Sequence, residues 1–307
     1  MVENNELEMN LKNLFKEWKV KQKNEKGYDW RNTGIAIGSF TIDGIVNEEC
    51  WYDLVKKEKN KVLYILREAN GNASEMGMEG KEVDGDNFWF QKCVTENKVS
   101  DNIFQRIKEM QMIIQGYTGV DVDSTKEILR EVAYMNLNKR GGGASVDWKI
   151  FNDYIKEYKE YIKKEIAIIK PDIIVCCGTY WSLIDNVCGL YKNGSGKKWK
   201  TGDDRDFDYV GAVIKDENGN ELHKARIINM YHPSARISNA NYIKRFRKIY
   251  GTADSSNNDS VSLVLSKQDI YKTIKKMNKK SEEFCELCDL INNIEESLAD
   301  KKLEVDK

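Results

Sequence analysis

The chain has 307 residues, of which 40% are hydrophobic and 32% are charged, a balance that excludes wholesale disorder and predicts a sizeable buried core. Its 49 basic and 50 acidic side chains nearly cancel to a net charge of −1, so affinity for nucleic acid would have to come from a local basic patch. No apolar run approaches the roughly 20 residues that span a bilayer, and the N-terminus does not resemble a secretion signal. We therefore expect a cytoplasmic protein with no membrane partner.

The first half of the chain predicts three helices and two strands. Residues 5–22 carry apolar side chains at helical spacing. Residues 61–66 (KVLYIL) form a short apolar run, which suits a strand buried on both faces. Helices are predicted next at about 101–115 and 125–131, and a second apolar strand follows at 132–137 (VAYMNL).

The second half continues the alternation of helices and strands. A long helix is predicted at about 147–169, where seven aromatic or isoleucine side chains form one stripe. A third strand follows at 172–177 (DIIVCC) and a further helix at 179–190. A fourth strand is predicted at 225–230 (ARIINM), with a helix at about 239–250 after it.

This order of elements predicts the fold class and the domains. Strands that alternate with helices favour an α/β fold, a three-layer α/β/α arrangement around a central, mainly parallel, four-stranded sheet, with additional N- and C-terminal helices. Residues 1–252 would form this domain, and residues 253–265 would be a polar linker. Residues 266–307 are predicted to be a helical appendage, either a packed cap or an arm that contacts another protein.

The seven cysteines are an odd number at irregular spacing, which favours reduced thiols over a disulfide framework. Cys285 and Cys288 have the spacing of metal ligands, but no second pair lies near them. Two thiols in a C-terminal helix are the favoured interpretation. We expect neither a metal nor another cofactor.

Polar segments stand where each predicted strand ends, and ligands of such sheets bind outside the carboxyl ends of the strands. In chain order these segments are Glu68-Ala69-Asn70-Gly71, Asn136, Gly178 and His232-Pro233-Ser234. Their order and spacing resemble the uracil-DNA glycosylase superfamily, whose motifs in the nearest branch read Gly-Glu-Ala-Pro-Gly, a strand ending in asparagine, Pro-x-x-Ile-Val-x-x-Gly and His-Pro-Ser.

The resemblance covers about residues 60–240, and it implies a uracil-DNA glycosylase-like fold. Arg67 and Asn70 depart from the glycine and proline of the family's first motif, and the segment 72–86 that follows is longer than usual. The chain has only two prolines, and both fall where the family uses one. The departures favour a remodelled pocket, so the motifs do not determine which base is recognised.

The resemblance also implies an activity and a set of catalytic residues. A DNA glycosylase flips a base out of the helix and hydrolyses its N-glycosidic bond with water. Glu68 would position the water or stabilise positive charge on the sugar, and His232 would donate a hydrogen bond to the departing base. Asn136 has both a donor and an acceptor with which to recognise a base edge.

Further residues are predicted to contact the base or the DNA, which is the expected partner. Besides Asn136, the predicted base-binding residues are Ala69, Gly71, Phe88 and Phe90, with Phe88 or Phe90 stacking on the base. The predicted DNA-binding residues are Ser234, Arg236, Lys244, Arg245, Arg247 and Lys248.

Structural roles compete with each of these assignments. Glu68 can be a helix N-terminal carboxylate, His232 a backbone-bonded histidine and Asn136 a turn residue. The aromatic cluster can be core, and the basic helix face can be merely solvated. Two other functions stay open: a catalytically altered relative that binds a nucleotide or modified base in defence or signalling, and an unrelated α/β enzyme acting on a phosphate ester.

Overall fold

The computed structural model describes most of the chain up to residue 254. All described residues belong to one compact unit, residues 1–257. The predicted appendage at 266–307 lies outside the described residues, as does the predicted linker at 253–265 except for its first two residues. The described ranges are 2–24, 40–70, 89–117, 125–142, 146–189, 197–198 and 208–254.

Helices and strands alternate along the chain. The helices are α1 (Val2–Asn24), α2 (Glu48–Lys56), α3 (Trp89–Thr95), α4 (Asn102–Gln115), α5 (Thr125–Arg130), α6 (Trp148–Ile169) and α7 (Asn239–Asp254), with a π-helix at Ser182–Cys188. The strands are β1 (Gly44–Ile45), β2 (Val62–Asn70), β3 (Val132–Gly142), β4 (Ile173–Cys177), β5 (Lys197–Lys198), β6 (Asp208–Lys215) and β7 (Glu221–Met230). None of the described helices is long and apolar enough to cross a bilayer.

The strands form one mixed sheet in the order β1-β3-β2-β4-β7-β6-β5. The α/β class is therefore confirmed, whereas the prediction of a four-stranded sheet is wrong. The four predicted strands are the inner, parallel ones, and β1, β6 and β5 extend the sheet through antiparallel pairing. Two of the three missed strands have only two residues, which is too short to show any periodicity in the sequence.

Helices cover both faces of the sheet. Alternate residues of a strand point to opposite faces, and in β2 both sets are buried. Leu63 and Ile65 pack with residues of α1 and α6, while Tyr64 and Leu66 pack with residues of α3, α4 and α7. Burial on both faces explains why this strand is a continuous apolar run in the sequence.

Strands β2 and β3 run further than their apolar sequences predict. Glu68 of β2 pairs with Asn138 of β3, so both residues belong to paired strands and not to the loops that follow them. After this pair the register shifts, because Ala69 pairs with Gly141. The two residues between Asn138 and Gly141 form a bulge, which bends the strand and reorients its side chains.

A fully buried lysine in this bulge connects β3 to two other parts of the chain. The Lys139 ammonium lies 2.5 Å from a carboxylate oxygen of Asp43 and 2.8 Å from one of Glu165 in α6. It also lies 5.2 Å from the centre of the Trp18 ring in α1. Burial and the nearby Asp43 raise the pKa of Glu165 well above its usual range.

The first prediction concerns this cluster. Replacing Lys139 with methionine leaves the Asp43 carboxylate buried without its ion pair, and we expect the free energy of unfolding to fall by about 3–5 kcal/mol. Urea denaturation monitored by circular dichroism measures the change. Lys56→Met is the matched control, because the ion pair of Lys56 with Asp53 is exposed to solvent and such pairs contribute little to stability. Equal stability of the two variants would contradict the prediction.

Candidate active site

The carboxyl ends of three parallel strands meet at one edge of the sheet. Gly178, directly after β4, has a φ of +75° and lies so close to His232, after β7, that a Cβ atom on it would be 3.4 Å from the His232 Cβ. Glycine is the residue that combines this backbone conformation with so close an approach. Thr179 donates a hydrogen bond of 2.9 Å to the Ile65 carbonyl of β2. The predicted motif segments of β2, β4 and β7 are therefore neighbours.

Glu68 is a partly buried carboxylate without a full set of partners. Within the described part of the chain, its buried Oε2 atom has no hydrogen-bond partner. Burial raises the pKa of Glu68 to about 7, and the adjacent Arg67 opposes this rise. A carboxyl group with such a pKa exchanges its proton near neutral pH, a property common at catalytic sites.

His232 is held as a neutral hydrogen-bond donor. Its Nδ1 atom accepts the backbone N–H of Ser234 at 3.1 Å and lies 2.6 Å from the Ser234 hydroxyl oxygen. Burial lowers the pKa of His232 to about 4, with a further contribution from Arg67. At neutral pH the ring therefore carries one proton, and because Nδ1 is an acceptor that proton is on Nε2.

Arg67 lies close to both groups, since its charge affects the pKa of Glu68 and that of His232. The two predicted catalytic residues therefore belong to one electrostatic environment. Arg67 is also a departure from the glycine of the resembled motif. Its guanidinium favours the ionised carboxylate of Glu68 and the neutral ring of His232.

Two asparagines of β3 lie beside Glu68. Asn136 and Asn138 pair with Leu66 and Glu68 across the β2–β3 ladder, and paired residues of parallel strands point to the same face. The Asn136 backbone N–H donates to Asp43 at 2.6 Å, and its side-chain oxygen accepts the Tyr134 hydroxyl at 3.3 Å. Asn138 was missed as a site residue, although the alternation in Asn136-Leu137-Asn138 could have indicated it.

Phe90, one of the two residues predicted to stack on a base, is part of the hydrophobic core. Phe90 is fully buried in α3, and its ring stacks on that of Tyr134 with centroids 4.5 Å apart. The neighbouring Trp89 is 41% exposed while its ring lies 6.4 Å from the Tyr134 ring. In this cluster Trp89 is the residue available for stacking on a ligand. Phe88 and Gly71 lie outside the described residues, and only the strand position of Ala69 is described.

Five of the six predicted DNA-binding residues are exposed, and the sixth, Arg245, is directed towards Tyr231. Ser234 and Arg236 are exposed after β7. Arg245 instead donates a hydrogen bond of 3.1 Å to the Tyr231 hydroxyl, and its guanidinium carbon lies 4.1 Å from the centre of that ring. Three exposed residues share one face of α7: Lys244, Arg247 and Lys248.

Arg106 of α4 shapes the segment after β7, and sequence reasoning missed it. This buried guanidinium donates to the carbonyl oxygens of Pro233 at 2.7 Å, Ala235 at 2.9 Å and Ile237 at 2.5 Å. Arginine suits this role because its planar group presents several donors in fixed directions. The contacts hold the backbone that carries the predicted DNA-binding side chains.

A cavity of about 580 Å³ adjoins this edge of the sheet. Gly178 and Tyr231 belong to its wall, whereas Glu68 and His232 do not. Two exposed tryptophans also line it, Trp148 at the start of α6 and Trp181 just before the π-helix. The cavity is therefore next to the predicted catalytic residues but does not contain them.

The described residues include no cluster of three or more histidine, cysteine, aspartate or glutamate side chains that could hold a metal ion. Five cysteines lie in the described ranges, and all are free thiols. Cys285 and Cys288 lie outside those ranges. Comparison with models of protein families and with curated proteins finds no match to this chain.

The second prediction follows from the pKa of Glu68. That pKa is about 7 in the folded protein against an ordinary 4.5, so the folded state holds the proton more tightly. Its contribution to stability is complete below pH 4.5 and is lost as the pH rises through 7. Relative to Glu68→Gln, the wild type should therefore lose up to about 3 kcal/mol of unfolding free energy between pH 5 and pH 8.

Urea denaturation at both pH values measures this difference. Glu221→Gln is the control, because Glu221 is exposed at the far end of β7. Its stability should follow that of the wild type at both pH values. If Glu68→Gln follows the wild type as well, the carboxyl group is not desolvated as described.

Proposed function

We propose that this protein is a DNA glycosylase that hydrolyses the N-glycosidic bond of a flipped, uracil-like or modified base. The observation that carries the proposal is that Glu68 and a neutral His232 both lie near Arg67, where β2 and β7 end. One group is a partly buried carboxyl with a pKa of about 7, and the other is an imidazole with a pKa of about 4. Groups whose pKa values are displaced in this way are characteristic of catalytic sites.

The chemistry of base removal can use these two groups. Breaking the bond develops positive charge on the sugar and negative charge on the departing base. The ionised Glu68 would stabilise the sugar or position the attacking water, and its Oε2 atom has no hydrogen-bond partner among the described residues. The Nε2 proton of His232 would donate to a base oxygen, where a hydrogen bond from a fixed donor lowers the barrier most.

Asn136 and Trp89 would hold the extruded base. The amide oxygen of Asn136 accepts the Tyr134 hydroxyl, and its amide N–H groups are the donors that would recognise a base edge. The ring of Trp89, which lies against that of Tyr134, would stack on the base. Base–aromatic stacking contributes about 1–3 kcal/mol.

The fold supports the proposed kinship with the uracil-DNA glycosylase superfamily. Four parallel strands lie between helices of two layers, and the four motif segments belong to these strands or directly follow them. The antiparallel strands at both edges are additions to that core. We infer the kinship from this arrangement together with the motifs, since neither alone is specific.

A second candidate function is favoured by Arg67. A guanidinium near both Glu68 and His232 opposes positive charge on a reacting sugar, because like charges repel at short range. A relative with this substitution would bind a nucleotide or modified base without cleaving it, in a defence or signalling role. Glu68→Gln separates the two functions: an enzyme loses turnover and keeps binding, whereas a binder is barely changed.

The third prediction is base release. Purified protein is incubated with labelled oligonucleotides that each contain one uracil, hypoxanthine, xanthine or hydroxymethylated base, and alkali then cleaves any abasic site. We expect one of these bases to be released by the wild type. Glu68→Gln should reduce the rate at least about a hundredfold, which is the usual contribution of such a group.

Glu131→Gln is the matched control for this assay. Glu131 is also partly buried with a raised pKa, but it bonds to Tyr117, away from the sheet edge. Its substitution should leave the rate unchanged. Release of no base by the folded wild type, with binding retained, would contradict the glycosylase proposal and support the binding function.

The fourth prediction is the pH dependence of the reaction. Since the ionised form of Glu68 is the reactive one, kcat/KM should rise about tenfold per pH unit below pH 7 and level off above it. His232 is neutral above pH 4 and should add no second transition between pH 5 and 9. Rates measured over that range at constant ionic strength provide the test. A profile that falls with rising pH would exclude Glu68 as the acting carboxylate.

A further inference from the structure

The cavity beside the proposed active site has the lining of a nucleotide site. Its volume of about 580 Å³ is within the range of small-ligand pockets. Trp148 is 49% exposed and Trp181 is 43% exposed, although both are large apolar side chains. They come from different elements, and each is held by an edge-on contact with a neighbouring ring, Phe151 or Tyr180. Such rings can stack on a planar base.

Charges and amides complete the lining. Lys156 and Arg245 bring two cations to the cavity, which suits a phosphate. Asn152 also lines the cavity and is already fixed, because its side-chain oxygen accepts from Ser182 at 2.8 Å and from Asn186 at 3.1 Å. A wall of this kind is formed before a ligand arrives, which lowers the entropic cost of binding.

Asp185 is the acidic residue on this wall. Burial raises its pKa, and in its ionised form it repels a nearby phosphate. The two cations on this wall, Lys156 and Arg245, outnumber that single carboxyl group.

The position of the cavity relates it to the proposed active site. Tyr231 lines the cavity, and the next residue is His232. Gly178 belongs to the cavity wall and also contacts His232. A ligand in the cavity and a base against His232 would thus occupy adjacent sites along one edge of the sheet.

We propose that this cavity binds one nucleotide of a single DNA strand, next to the nucleotide whose base is removed. The assignment to a DNA strand rests on the proposed function, since the adjacent site is the one that would hold the flipped base. Trp148 and Trp181 stack on the base of the bound nucleotide, and Lys156 and Arg245 contact its phosphates. None of these residues takes part in bond cleavage, so binding can be tested without it.

The fifth prediction tests this site by fluorescence anisotropy of a fluorescein-labelled oligothymidylate titrated with the full chain. Trp148→Ala and Trp181→Ala should each raise the Kd about 5- to 100-fold, as expected for the loss of a stacked base. Lys156→Ala should weaken binding to a smaller extent and reduce the slope of log Kd against log salt by about 1.

Lys159→Ala is the matched control, because Lys159 is exposed on the same helix but does not line the cavity. It should bind as the wild type does, and thermal unfolding midpoints should show that all variants are folded. Wild-type affinity in both tryptophan variants would overturn the proposal, as would a wild type that does not bind the strand. Displacement of the strand by thymidine monophosphate at the strand's own affinity would overturn the assignment to a DNA strand.

The anisotropy assay is independent of base release. If no base is released but both tryptophan variants lose affinity, the glycosylase proposal fails and the nucleotide site stands. If a base is released while the tryptophan variants bind normally, the nucleotide site fails and the glycosylase proposal stands.

Discussion

The geometry of the candidate site depends on the ion pairs of the buried Lys139 ammonium. This ammonium joins β3 to Asp43, which precedes β1, and to Glu165 of α6. Asp43 also accepts the backbone N–H of Asn136. Because an unpaired charge at this depth costs several kcal/mol, β3 has little freedom to shift its register. The bulge at Lys139 and the nearby Asn136 are therefore held in place by Asp43 and by α6. Helix α6 packs on the face of the sheet opposite to the one that carries Glu68.

Where the strands end, the protein leaves polar groups partly unsatisfied. The buried Lys139, in contrast, is paired with Asp43 and Glu165. Glu68 is desolvated, and one of its oxygens has no partner in the part of the chain that the structure describes. His232 is kept neutral in a partly buried position. The raised pKa of Glu68 lowers stability as the pH rises through 7, and the lowered pKa of His232 lowers it as the pH falls from 6.5 towards 4. A fold that tolerates such a cost at one place commonly does so because a ligand uses those groups.

Residues distant in sequence shape the site as much as its own motifs do. Arg106 holds three carbonyl groups of the segment after β7, and Gly178 permits the close approach of β4 to His232. The apolar spacing of α4 predicts its helix and its buried face, but it does not indicate that an arginine is buried among those residues. The partner carbonyls are more than a hundred residues away, so no local pattern records the contact.

The sequence by itself determined the α/β class, the four parallel strands and most of the helices, because burial on one or two faces leaves a periodic pattern in neighbouring residues. It also indicated Glu68, Asn136 and His232 through the order of motifs at strand ends. Only the tertiary structure decided the lengths of β2 and β3, the antiparallel edge strands, and the exposure of Trp89 where Phe90 is buried. Those features depend on pairing and packing between distant segments. Such segments compete for the same space, and their contacts produce no pattern in the local sequence.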